Sequence, residues 1–300
     1  MNTAGKLSAY GVALALVAAC GWVIGTAVGP VTRSAAPAGE SGAEGAGHGD
    51  THSGTVAAST APGDGPAGLA SSRGGYTLTP TSTTLTSGNA DLSYRIDGPD
   101  GHPVTAFDVE HDKRMHLIVV RRDTAGFQHV HPVMDHDGTW RIHLTGVQPG
   151  SYRAFADFTP TGGEGTTLGV DLAVPGAFEP AAYGPSRVAR VDGYEVRLDG
   201  DLVAGQTSKV TLTVTKDGAP VTDLQPYLGA YGHLVALRTG DLAYLHVHPD
   251  GEPGDGKTAP GPAVTFYAEV PTATTYRLFL DFQHGGTVRT AEFTVTGERS

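Results

Sequence analysis

Beyond about residue 75 no long stretch shows an apolar period near 3.6. Short runs of Val, Thr, Leu and Tyr are divided instead by Gly, Pro, Asp and Asn clusters, the pattern of β-strands joined by turns. The pattern occurs twice. Residues 100–105 (DGHPVT) return 117 positions later as residues 217–222 (DGAPVT), and residues 152–158 (YRAFADF) return as residues 276–282 (YRLFLDF) at an offset of 124. Each copy supplies about seven short strands at sandwich-like spacing. The expected fold class is therefore all-β: two tandem immunoglobulin-like or cupredoxin-like β-sandwiches, at residues 75–176 and 186–297, parted by a Pro/Gly-containing stretch.

The N-terminus departs from this pattern. Residues 7–31 carry no charge, follow Lys6 and precede Arg33, and are long enough to cross roughly 30 Å of hydrocarbon as a helix. The expectation is a transmembrane anchor over residues 1–33, with the C-terminal domains outside the cell. The alternative is a lipoprotein, because Val17-Ala18-Ala19-Cys20 resembles a lipobox. Residues 34–74 are rich in Ala, Gly and Ser and are expected to form a disordered tether, carrying His48 and His52 in a small polar cluster.

Composition narrows the chemistry. The formal net charge is −11, without the clustered Lys and Arg that nucleic acid requires, so no nucleic-acid partner is expected. Cys20 is the single cysteine, which leaves the sandwiches without a disulfide and excludes a blue-copper centre, whose ligands include a thiolate.

The most specific feature is a repeated spacing, His-x12-His-x-His-Pro. His116, His129 and His131 recur as His233, His246 and His248, all three 117 positions later. In the second copy, a tight turn at Gly240-Asp241 places His233 opposite His248 and His246 opposite Val235. Alternation then puts the three histidines on one face, with directly opposed Cβ atoms about 4.5–5.5 Å apart. In the first copy the turn is longer, with Gly126 at a bulge, and the register is less fixed.

Alternation also places Asp157 and Asp281 on the face opposite their strands' core residues. Each can ligate a metal, accept a hydrogen bond from a ligand histidine, or pair with Arg153 or Arg277. His284 can extend the second set. Neutral imidazoles suit divalent copper or zinc. The expected sites are thus His116, His129, His131 and Asp157 in one repeat and His233, His246, His248 and Asp281 in the other, with Cu(II) or Zn(II) bound. The acidic loops at residues 135–138 and 250–256 do not fit a twelve-residue calcium loop. No phosphate cradle or nucleophile elbow is present, and a non-enzyme is expected.

The pattern H-L-x-V-V … F-x-H-V-H-P … G-T-W … P-G-x-Y-R-x-F-x-D-F in the first repeat resembles bacterial extracytoplasmic proteins of YtkA-like or heavy-metal-associated type. The resemblance is strongest over residues 115–163 and 232–286. It implies an immunoglobulin-like fold and a part in metal handling, copper foremost. The expected function is that of a membrane-tethered extracytoplasmic protein that buffers or handles copper or zinc, with an envelope metal-transport protein as candidate partner. The competing expectation is a non-catalytic structural or interaction module of the cell envelope whose histidines are structural.

Overall fold

The structure, a computed structural model, describes residues 65–300 apart from His246. The expected anchor, the lipobox and the His48/His52 cluster lie outside the described residues. No described helix is long and apolar enough to cross a membrane.

The described residues form two tandem all-β sandwiches. In the first, a sheet ordered Ser72–Arg73, Tyr76–Pro80, Gly88–Asp97, Trp140–Val147, Val133–Met134 faces a sheet ordered Gln128–Val130, His116–Arg121, Gly150–Phe158, Thr166–Val174. The second repeats this plan. Val188–Val191, Tyr194–Asp199, Thr207–Lys216, Ala263–Glu269 and Val247–Pro249 face Tyr244–Leu245, His233–Arg238, Thr275–His284 and Thr287–Thr296. Each repeat buries its own core between its sheets. Leu117, Val119 and Ala154 meet Tyr94, Ile96 and Leu144 in the first. Leu234, Leu278 and Phe293 meet Val196, Leu212 and Phe266 in the second. A tyrosine pins the same corner in both: the Tyr152 hydroxyl donates to the Gln148 carbonyl at 2.9 Å, and Tyr276 donates to that of Thr272 at 2.7 Å.

The histidine strands do not alternate in burial. His116–Arg121 is buried at every position, and so is most of Thr275–His284. An open sandwich leaves the outer face of each sheet to water, so a second apolar surface must cover these. That surface is the other repeat. Ile118, Val120 and Phe155 of the first form one cluster with Val235, Leu237, Leu242, Tyr244 and Phe279 of the second. Phe127 stacks on Phe279, with ring centroids 4.0 Å apart and planes at 4°. Phe155 meets Tyr244 at 5.8 Å. Phe127 corresponds to Tyr244 and Phe155 to Phe279, so each contact is the other seen from the opposite repeat, as in an isologous interface.

Residues 67–73, expected in the tether, belong to this fold. Gly68 donates its amide to the Thr167 carbonyl at 3.1 Å, and the Arg153 guanidinium donates to the carbonyls of Gly68 at 2.9 Å and Leu69 at 2.6 Å. The Ala67 carbonyl accepts from the Tyr244 amide at 3.1 Å, which ties the leader to the second repeat. Arg153 is buried and needs acceptors, which composition alone does not reveal. Gly68 has φ +71°, and a Cβ there would stand 2.4 Å from Cδ1 of Phe155, so only glycine fits.

Phe279→Ala is expected to cost about 3–5 kcal/mol, because it removes the ring at the centre of the seam. Urea unfolding of the full chain measures this, and a loss below about 1 kcal/mol would show that the seam contributes little.

Candidate metal centre

In the first repeat the hairpin pairs Leu117 with Val130, Ile118 with His129 and Val119 with Gln128. Continuing that register by one residue sets His116 opposite His131. The three histidines therefore share the outer face with Ile118 and Val120. Their ring centroids lie 5.4 Å (His116 to His129), 5.0 Å (His116 to His131) and 5.0 Å (His129 to His131) apart. One nitrogen from each lies within 4.8 Å of the others. The longer loop anticipated here is present, with Thr124 at φ +68° and Gly126 at φ +61°.

The protonation pattern follows from the partners. Nε2 of His116 lies 3.0 Å from the Glu110 carbonyl, which only accepts, so that nitrogen carries the proton. Nδ1 of His129 lies 2.7 Å from Oδ2 of Asp281 and donates to that carboxylate. When both rings are neutral, the remaining nitrogens, Nδ1 of His116 and Nε2 of His129, face each other as lone pairs at 3.1 Å. Either a proton shared between the rings or a cation between them relieves that approach. Nε2 of His131 is buried with no hydrogen-bond partner among the described residues. For metal–nitrogen bonds of about 2.0–2.1 Å, neighbouring ligand nitrogens stand about 2.9 Å apart at right angles and about 3.3 Å apart in a tetrahedron. The 3.1 Å approach lies between these values.

The medium keeps His116 and His131 neutral. Burial lowers the pKa of His116 to about 4, opposed by the Glu110 carbonyl and reinforced by His129. Burial, then His129 and His116, lower that of His131 to about 3. Neutral imidazoles at neutral pH are ready to ligate without first losing a proton. Tyr227 of the second repeat, with its ring 6.3 Å from that of His131, is raised to about 12 by burial and the charge of Asp281.

The expected second set does not assemble in the same way. The register in that hairpin is as anticipated, with Ala236 opposite Leu245 and Leu237 opposite Tyr244. The turn is longer than two residues, because Leu242 adopts φ +62° and donates its amide to the Arg238 carbonyl at 2.8 Å. After Leu245 the chain crosses to the opposite sheet, where Val247 pairs with Ala268 and His248 with Tyr267. Val247 enters the core, and alternation turns His248 outward, where it is exposed. His248 therefore does not stand opposite His233. In the first repeat the crossing comes later, after Val130, so His131 stays beside its partners. His246 lies outside the described residues.

His233 joins the first set instead. Its ring lies 4.8 Å from that of His129 and 5.7 Å from that of His116, in planes 9° apart in the second case. The aspartates have distinct roles. Asp281 is the cross-strand neighbour of His233 and reaches across the seam to His129, while its Oδ1 accepts from the Thr290 hydroxyl at 2.6 Å. Asp157 is the cross-strand neighbour of His116 and accepts from the Thr167 hydroxyl at 2.7 Å. Neither forms the arginine pair left open by the sequence: Arg153 pairs with Asp171 at 2.8 Å, and Arg277 pairs with Glu292. His284 is also elsewhere, between the Tyr194 hydroxyl at 2.6 Å and Asp223 at 3.1 Å.

Sequence reasoning missed His111, whose ring lies 6.1 Å from that of His116 and 5.7 Å from that of His233. It sits on a turn at φ +47°, and Leu228 occupies the corresponding position of the second repeat at φ +55°, so the repeat comparison discards it. Tyr227, Thr290 and the Glu110 carbonyl likewise carried no spacing signal.

The fold and site define a class: a tandem β-sandwich protein whose repeats dock through their histidine-bearing sheets. The chain belongs to the family defined by the domain of unknown function DUF8832, matched twice, at residues 70–176 and 189–299. No curated protein matches it. Among solved structures it is similar to a Salmonella α-2-macroglobulin mutant, Y1175G, at 13% identity and TM-score 0.26, over 78% of this chain and 15% of that one. It is also similar to invasin, a bacterial integrin-binding protein, at 13% identity and TM-score 0.23, over 75% of this chain and 39% of that one. A third is the N-terminal Ig1-2 module of the Drosophila receptor protein tyrosine phosphatase DLAR, at 9% identity and TM-score 0.21, over 74% and 96%. The chain spans well under two thirds of the first two, and at these scores the likenesses carry no argument about function.

The lowered histidine values make stability pH-dependent. The unfolded chain takes up protons at the ordinary value of about 6.5, before the folded protein does. Stability from His116 and His131 is thus full above that pH and declines as pH falls toward their folded values of about 4 and 3. The urea midpoint of the metal-free protein should fall between about pH 6.5 and 5, above the ordinary carboxylate range, and His131→Ala should flatten the slope. A midpoint constant over that window would contradict neutral burial.

Proposed function

We propose that this protein binds one divalent transition-metal ion, copper(II) or zinc(II), at the seam between its two repeats, and that it buffers or hands on that ion at the outer face of a membrane. His116, His129 and His131 are the ligands. The observation that carries this reading is the 3.1 Å approach of Nδ1 of His116 to Nε2 of His129, with the far nitrogen of each ring committed as a donor. A metal-bound histidine usually donates its other N–H to a carboxylate or carbonyl, which is the arrangement of both rings. The segment that resembles YtkA-like proteins, residues 115–163, contains all three ligands. The location outside the membrane rests on the uncharged stretch at residues 7–31 and is part of the proposal.

Titration of the full chain with Zn(II) or Cu(II), followed by calorimetry, should give one equivalent of tight binding. The triple variant His116→Ala/His129→Ala/His131→Ala should lose it, and His248→Ala should keep it. Two tight equivalents would restore one site per repeat. Absence of binding would leave the histidines as a polar lock across the seam, the role of a structural module.

A further inference from the structure

The carboxylate that supports the triad comes from the other repeat. Asp281 stands 152 residues from His129 in sequence, yet the two side chains meet at 2.7 Å and are only 3% and 1% exposed. Asp157, the aspartate in the ligands' own repeat, is held by Thr167 instead. The Thr290 hydroxyl, cross-strand from Asp281, fixes the second carboxylate oxygen and so aims the first at the ring.

Resting on the metal reading of this site, we infer that the ion site is a joint product of the two repeats, and that ion occupancy and docking of the repeats are coupled through Asp281 acting as a positioning residue. The physical step is local. A cation on Nε2 of His129 withdraws electron density from the ring and makes its Nδ1–H a stronger donor, so the bond to the carboxylate tightens when the ion is present. That bond spans the seam. Whatever the ion adds to it favours the docked arrangement, and by linkage docking raises affinity for the ion by the same factor. Separating the repeats removes the carboxylate and releases the ion.

The test uses the full chain with Cys20→Ser and a reporter thiol at Val120→Cys, a position buried in the seam. Labelling of that thiol by a soluble disulfide reports separation of the repeats. Saturating Zn(II) should slow labelling at least tenfold, and His131→Ala should abolish the effect. Asp281→Asn should weaken Zn(II) and Cu(II) binding about 10–100-fold, shift the Cu(II) hyperfine signature, and remove most of the protection. A purely structural Asp281 would speed labelling of the metal-free protein but leave affinity, signature and the ratio with and without metal unchanged. That result, or zinc binding without any protection, overturns the coupling while the metal site stands. No binding in the parent overturns the metal reading and this inference together. Should Val120→Cys not fold, Val235→Cys reports from the facing strand.

Discussion

Two sheets that are apolar on both faces cannot each stand in water, and most of the molecule's arrangement follows from how that is resolved. The strands His116–Arg121 and Thr275–His284 bury one face in their own sandwich core and need a cover for the other. Each repeat covers the other, with Phe127 on Phe279 and Phe155 against Tyr244 at the centre of the contact. Histidines at the end of that same outer face are carried into the seam with the apolar residues. Their burial, the neutrality of His116 and His131, and the reach of Asp281 all depend on this docking.

The approximate twofold relation between the repeats is broken where the chemistry sits. Both hairpins keep the same cross-strand register, but the chain leaves the seam sheet after Leu245 in the second repeat and only after Val130 in the first. A few residues of difference decide whether the last histidine of the motif faces its partners, as His131 does, or the outside, as His248 does. Among the described residues the result is one assembled triad where the motif count suggested two.

Strand periodicity made much of this legible. It assigned the all-β class, the two repeats, the faces of Asp157 and Asp281, and the register of the second hairpin. The seam was not read, although its trace is in the chain: Leu117-Ile118-Val119-Val120 and Leu234-Val235-Ala236-Leu237 are continuous apolar runs rather than alternating ones, the mark of strands buried on both faces. Periodicity states which residues share a face but not what covers it. For that reason Asp281 was assigned to its own repeat's histidines, whereas it serves His129 of the other. His111 was hidden for a different reason, since Leu228 stands at the matching position.

The leader has a mechanical consequence. Gly68 and Leu69 are gripped by Arg153, and the Ala67 carbonyl is bonded to the Tyr244 amide of the second repeat, so the chain enters the folded body at the junction of the two sandwiches rather than at a far pole. A pull on that leader would therefore be delivered at the junction. The bond from the Tyr244 amide to the Ala67 carbonyl would be the first to bear load, followed by those from Arg153 to Gly68 and Leu69.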